Sequence, residues 1–275
     1  MRAILEVVCP AAALAQALDS LRSDPAHAAV LLDIDGTLAP IVRHAEDAHV
    51  PEATRSLLIE IARRYRLVGC VSGRRATTAR RIVALGSISY VGNHGGELLR
   101  PGASAPQIQP ELAGWSERIQ RFATSVLTPE YERLRVRSED KQTIAAFHWR
   151  GAPDEEAAAR AVKGIASAAE AEGFVVHWGR KVLEIRPPVA LHKGLGIRAL
   201  LADQPVHAAL YVGDDSTDLD AFEALRSLTA DGALRSALCV AVVSRETPPE
   251  LAAQADLTID DTSGVRELLQ ALLEP

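Results

Sequence analysis

Residues Ala28 to Leu32 are apolar at every position, and the run breaks off at Asp33-Ile34-Asp35-Gly36-Thr37. A strand apolar on both parities is buried on both faces, the condition of a central strand in a helix-covered parallel sheet. At its end, side chains at i and i+2 point the same way, so Asp33 and Asp35 stand side by side. Two such carboxylates repel each other unless a cation lies between them. One reading is therefore a metal site, and a hard metal, because its ligands are oxygens. The plainer reading is a strand-end turn in which Asp-Gly supplies the bend.

The remaining chain supplies the sheet. A helix is expected from Pro51, a strand at 66–71, a helix near 75–85 and a strand at 89–92. This is the β-α-β-α-β rhythm of a parallel sheet. It resumes near 192 with a helix, a strand at 208–212, a helix at 217–228, strands at 237–243 and 256–259, and a last helix at 263–273. Between these halves lies a Pro-rich connector followed by a helix near 112–127 and strands at 132–137 and 142–149. A helix at 154–172 and two strands joined at Trp178-Gly179-Arg180 complete the insert. Helix plus two strands, repeated, predicts an α+β module with an antiparallel sheet. The expected organisation is α/β: a Rossmann-like core (1–103 and 187–275) interrupted by an inserted α+β cap domain (104–186), with hinges near 101–106 and 187–188.

Three further groups fall at strand ends or helix starts. Ser72-Gly73-Arg74 follows the strand LVGCV, presenting a hydroxyl and backbone N–H groups to an anion, or simply capping a helix. Lys193 opens a helix, where the macrodipole does not favour a cation. Only four of the 30 basic residues are lysines (Lys141, Lys163, Lys181, Lys193), and lysine is the compact point charge suited to a small phosphate pocket. Gly213-Asp214-Asp215-Ser216-Thr217-Asp218 follows the strand ALYV, and its carboxylates can converge on a metal or cap the next helix. Open α/β sheets bind ligands at the carboxyl ends of their strands, so all these pieces meet at one edge. Together they form a kit for phosphoryl transfer through a covalent aspartyl phosphate.

The ordered set Asp33-x-Asp35-Gly36-Thr37, Ser72, Lys193 and Gly213-Asp214-Asp215 resembles the haloacid dehalogenase superfamily of phosphatases. Within it the chain is most similar to the trehalose-6-phosphate phosphatase family, through LLDIDGTLAPI, VSGR, GNHGGE, Lys141 with FHWR, VLEIRP, HKG and GDDSTDLDAF. The resemblance implies that Asp33 attacks phosphorus while Asp35 protonates the leaving sugar oxygen and later deprotonates water, with Thr37 buttressing the loop. It implies Mg²⁺ held by Asp33, the Asp35 carbonyl, Asp214 and Asp218 or Asp215. It places Ser72, Gly73, Arg74 and Lys193 on the phosphoryl group. Asn93, His94 and Glu97 of the core, with Lys141, His148, Arg150, Lys181 and Glu184 of the cap, are the implied sugar-binding positions. Leu219 stands where relatives usually carry an acid, which leaves room for another subfamily.

The substrate expected is trehalose 6-phosphate; sucrose phosphate or a glycosyl-phosphoglycerate is the alternative, the latter with Arg135, Arg137 and Arg150 as added cations. A phospho-accepting signalling domain also uses paired acids, but the second acid at Asp35 opposes it, because a switch gains from slow hydrolysis. A net charge of −6 with no long basic run argues against nucleic acid or an anionic membrane as partner. Cys9, Cys70 and Cys239 form no disulfide or zinc pattern, and Cys70 and Cys239 read as buried small hydrophobes. Glu6 and Pro10 interrupt the Ala-rich start, which reads as a helix from about Ala11 to Leu21 and not as a leader. A cytoplasmic monomer is expected.

Overall fold

The computed structural model describes residues 11–42, 45–245 and 247–274; the start with Glu6, Cys9 and Pro10 lies outside the described residues. In chain order come α1 (Ala11–Arg22), β1 (Ala28–Leu32), α2 (Glu52–Arg64), β2 (Leu67–Val71), α3 (Ala76–Val83) and β3 (Ser89–Gly92). Two short strands, β4 (Glu97–Leu99) and β5 (Gln107–Ile108), follow. The insert contributes α4 (Trp115–Val126), α5 (Pro129–Arg133), β6 (Arg137–Asp140), β7 (Ala145–His148), α6 (Glu155–Ala171), β8 (Val175–Gly179) and β9 (Val182–Arg186). The chain then adds α7 (Lys193–Leu201), β10 (Ala208–Gly213), α8 (Leu219–Ala230), β11 (Ser236–Val243), α9 (Pro249–Gln254), β12 (Leu257–Asp260) and α10 (Asp261–Leu273).

It divides into two compact units, Met1–Gln107 with His192–Pro275, and Ile108–Leu191. The first unit carries the sheet ordered β12-β11-β10-β1-β2-β3-β4-β5. Every pairing from β12 through β3 is parallel, and β3 with β4 is antiparallel. That antiparallel return is absent from the sequence reading, because a three-residue strand has no usable periodicity.

Strand parity sorts the core onto two faces. Val30 and Leu32 join Leu210, Val212 and Val240 beneath α1, α2 and α10. Ala29 and Leu31 join Tyr211 and Cys239 against α7, α8 and α9. Val30 and Leu31 are wholly buried, and each such side chain stabilises the fold by about 1.5–3 kcal/mol. Packing on opposite faces, they fix where Asp33 emerges. Cys70 and Cys239 are buried thiols within β2 and β11, and burial pushes the Cys239 thiol up to about 12, as expected of small hydrophobes. Among the described residues no helix is long and apolar enough to cross a membrane.

In the second unit the sheet order is β6-β7-β9-β8, antiparallel throughout. Ala145, Phe147, Leu183 and Ile185 pack on α4 and α6 through Ile119, Phe122, Val162 and Ile165. The strand expected at 132–137 is a correction: 129–133 form α5, and the strand starts at Arg137. Pro129 at a first helical position, with Glu130 and Glu132 in the first turn, favours the helix. The β8–β9 connection turns at Arg180-Lys181, one residue beyond the expected centre, because Gly179 still pairs with Val182.

Candidate active site

Asp33 follows β1, Ser72 follows β2 and Asp214 follows β10, three neighbouring strands of the parallel sheet. The Asp33 N–H donates to the Val212 carbonyl at 2.8 Å, carrying the ladder one residue past β1. The carboxylates of Asp33, Asp214 and Asp218 are all buried, and one oxygen from each lies within 4.8 Å of the others. Lys193 Nζ lies among them, 2.9 Å from Asp33 Oδ1 and 2.6 Å from Asp218 Oδ1. These ion pairs explain a lysine at a helix start: two carboxylates outweigh the unfavourable dipole. Burial alone would lower the Lys193 ammonium, but Asp218 and Asp33 hold it well above the ordinary lysine value. Asp33 moves up as well, because its desolvation and the neighbouring acids exceed what Lys193 returns. That is the state of an acid cluster short of positive charge.

The loop after β1 is shaped to admit the neighbouring strand's acid. Gly36 has φ +87°, and a Cβ there would come 2.1 Å from Asp214 Oδ2. Glycine is thus required twice, by backbone and by space. Ile34 O accepts from the N–H groups of Leu38 (3.0 Å) and Ala39 (2.8 Å), which closes the turn over a wholly buried Thr37.

Asp218 serves four donors. Lys193 Nζ and the Tyr211 hydroxyl reach Oδ1 at 2.6 and 2.5 Å, and the N–H groups of Asp214 and Asp215 each reach Oδ2 at 2.9 Å. Its oxygens hold the 213–218 turn and Lys193, and so place Asp214 beside Asp33. Tyr211 was not among the expected site residues, since in ALYV it reads as an apolar strand position; burial and the Asp218 charge keep its hydroxyl protonated. Burial works to raise Asp215, but the Lys193 charge and hydrogen bonds from Thr217 keep it below its ordinary value.

Arg74 is placed differently from its expected phosphate role. Its Nε and Nη2 bind Asp35 Oδ2 and Oδ1 at 2.6 and 2.7 Å, a bidentate pair spanning two loops, and Nη1 donates to Ala45 O at 3.0 Å. Ser72 Oγ accepts the Arg74 N–H at 3.1 Å, so the hydroxyl does cap the turn. The His94 ring rests against Gly73, where a Cβ would lie 2.6 Å from His94 Cε1.

Asn93 and Glu97 were expected to face sugar, yet they are 0% and 1% exposed. Glu97 accepts from Asn93 Nδ2 at 2.9 Å and from the Ala76 N–H at 2.7 Å, tying the loop after β3 to the start of α3. Burial raises its carboxyl, against the opposing pull of Ala76 and Arg75. This is scaffold work: it holds Asn93 and His94 at φ 47° and 53°. Glu97→Gln leaves one of these two donors without an acceptor and is expected to destabilise the protein by about 1–3 kcal/mol in denaturant melts. An unchanged midpoint would remove Glu97 from the scaffold.

In the second unit, register puts Glu139, Ala146, His148 and Glu184 on the sheet face away from α4 and α6. Lys141 Nζ binds Glu184 Oε1 at 2.7 Å, while Arg186 Nε and Nη2 bind Oε2 at 3.0 and 2.6 Å. His148 Nε2 meets Glu139 Oε2 at 2.9 Å. Lys181 pairs with Glu155, and Arg150 reaches Arg180 O at 3.5 Å, so these two lie at the β8–β9 turn, apart from the Lys141 group. The Glu184–Arg186 pair is the plainer reading of Glu184 that the i, i+2 spacing on a strand offers, and the structure forms it.

A family model for trehalose-phosphatase matches residues 31–262. An uncharacterized glycosyl hydrolase of Mycobacterium tuberculosis is 32% identical over 208 residues, covering 72% of this chain and 15% of that protein. Trehalose 6-phosphate phosphatase RA3 of Zea mays is 28% identical over 261 residues, 88% of this chain and 69% of that protein. The trehalose-phosphate phosphatase of Mycobacterium marinum is 32% identical over 203 residues, 72% of this chain and 51% of that protein. The chain thus spans only part of these relatives. Among solved structures, the C-terminal domain of a Candida albicans trehalose-6-phosphate phosphatase superposes with a TM-score of 0.74 at 19% identity, over 96% of this chain and 97% of that one. At that identity the likeness speaks for the fold, and the parallel-sheet core with its insert is shared. With the family model covering Asp33, Ser72, Lys193 and Asp214 in one match, the chain belongs to the trehalose-phosphatase family.

Proposed function

We infer that this chain hydrolyses a sugar phosphate monoester, trehalose 6-phosphate, through a phosphoaspartate on Asp33. The observation that carries the reading is the buried set at the carboxyl ends of β1 and β10: Asp33 with Lys193 at 2.9 Å and the oxygens of Asp214 and Asp218 beside it. Family membership supplies the substrate class.

The donor set fits Mg²⁺: it is all oxygen, it is short of positive charge, and Gly36, having no Cβ, lets the Asp214 carboxylate come in beside the loop after β1. Asp33 and Asp214, with the Asp35 carbonyl, would hold the ion. When bound, it would neutralise charge between nucleophile and phosphate. Asp33 attacks phosphorus, and the bond to the sugar oxygen breaks. Lys193 and the Ser72 hydroxyl, whose oxygen accepts the Arg74 N–H and whose proton remains to be donated, take up charge on the phosphoryl oxygens. Asp35 gives its proton to the departing hydroxyl, then takes one from the water that cleaves the phosphoaspartate. Both Asp35 oxygens are engaged by Arg74, so that pair must open for the proton to move. Proton transfer by a placed acid contributes about 10²–10⁴-fold.

On the inserted unit, the Lys141–Glu184–Arg186 group and His148 offer donors and acceptors suited to uncharged sugar hydroxyls. A cytoplasmic monomer acting on a small anionic ester is part of this reading. Phosphate release with Mg²⁺ from trehalose 6-phosphate, glucose 6-phosphate, sucrose 6-phosphate and glucosyl-3-phosphoglycerate tests it. Preference for the first is the expected result. Preference for another would retain the chemistry and replace the substrate, and release from none would end the proposal.

A further inference from the structure

The opposite ends of the two central strands carry a second constellation. His27 immediately precedes β1 and His207 immediately precedes β10. The His207 N–H donates to the His27 carbonyl at 2.7 Å, in register with the Ala28–Ala208 pair. Their imidazoles lie parallel, with centroids 4.7 Å apart and planes 7° apart. Asp24 joins them from the turn before β1, its carboxylate 2.9 and 3.0 Å from His27 Nδ1. Nδ1 of His207 is buried and has no hydrogen-bond partner among the described residues. One donor atom from each of Asp24, His27 and His207 lies within 4.8 Å of the others.

We propose that Asp24, His27 and His207 form a second metal site, selective for a borderline transition ion of the Zn²⁺ class. Two imidazoles and one carboxylate are a donor set that suits zinc, copper or nickel and not magnesium. Ligands about 2 Å from a tetrahedral ion stand about 3.3 Å from one another, so the three donors must draw together by a modest rotation. The members able to turn are Asp24 and His27, whose side chains are 50% and 42% exposed. The His207 backbone is held, its carbonyl accepting from the Arg235 N–H at 2.7 Å and its own N–H given to His27. Pro25 O is likewise pinned, by the Arg66 N–H at 2.8 Å. Binding requires both imidazoles to be neutral, since each must lend a ring-nitrogen lone pair to the ion. Three protein ligands leave a fourth position for water. Five residues of β1 separate this site from Asp33, about 17 Å of strand, so one ion cannot serve both.

The test is calorimetric titration of the whole chain with Zn²⁺ in excess Mg²⁺, which keeps the oxygen site filled. One Zn²⁺ is expected to bind, at least about tenfold more weakly in His27→Gln and in His207→Gln, with phosphatase activity in Mg²⁺ unchanged. Co²⁺ is expected to give the intense visible absorption of a four- or five-coordinate nitrogen-ligated ion, lost in both variants. Should His207→Gln not fold, the half-exposed His27→Gln gives the same readings. Zn²⁺ affinity and the Co²⁺ spectrum left unaltered by His27→Gln, or no Zn²⁺ bound by the native chain, would overturn the proposal.

Discussion

Asp33→Asn is expected to lower phosphate release from trehalose 6-phosphate by at least about 10⁴-fold while the protein stays folded. The amide keeps the shape of the carboxylate, and its oxygen still accepts from Lys193, whose Nζ lies 2.9 Å from Asp33 Oδ1. What it cannot do is attack phosphorus. Stability should change little or rise, because burial and the nearby acids already hold the Asp33 carboxyl above its ordinary value, so removing that charge relieves repulsion. Single-turnover phosphate release together with a thermal melt measures both effects. Residual turnover within tenfold of the native rate would dismiss Asp33 as the nucleophile.

The second large effect is on the fold. Lys193→Met fills the same volume and leaves Asp33 and Asp218 buried without their cation. Breaking one side of a buried ion pair costs about 3–5 kcal/mol, here with two acids orphaned at once. The pH dependence follows from the direction of the shifts. Lys193 is raised in the folded protein, so its stabilisation is whole below the ordinary lysine value and is lost only as pH climbs through the folded one. The variant exchanges that for an Asp33 carboxyl raised by burial, which binds a proton in the folded state after the unfolded chain has released it. Its stability therefore falls as pH rises through and above the ordinary carboxylate range. Denaturant melts from pH 5 to 9 on both proteins, without divalent ions, measure this. A variant as stable as the native chain at pH 7 would show that the lysine is dispensable to the core.

Much of this site is legible in the sequence because each piece is punctuation. Asp33, Ser72 and Asp214 each interrupt an apolar run at a strand end, and Lys193 stands where a helix start disfavours it. What escapes are partnerships set by tertiary packing. Arg74 meets Asp35 across 39 positions, and no local pattern marks which anion a loop arginine will choose. Asp218 is legible as an acid of the site by its spacing, while the hydroxyl that engages it comes from Tyr211, a position whose parity announces only core. Glu97 reads as a polar residue near a mouth, whereas its burial depends on how α3 begins. The short β4 and the helical turn of α5 fall below the length at which periodicity discriminates.

The pairing of β1 with β10 also sets a timetable for biosynthesis. Asp33 and Lys193 are separated by 160 positions, and Asp218 lies farther on. At ribosomal speeds of about 5–20 residues per second, on the order of ten to forty seconds pass between the two aspartates emerging. Through that interval β1, destined for the middle of the sheet, has one unpaired edge of apolar residues, the geometry that invites aggregation. The inserted unit, a compact body of its own, is synthesised within that gap. A ribosome stalled in the insert therefore holds Asp33 without Lys193 and β1 without β10, so the burden on chaperones should be greatest in that window.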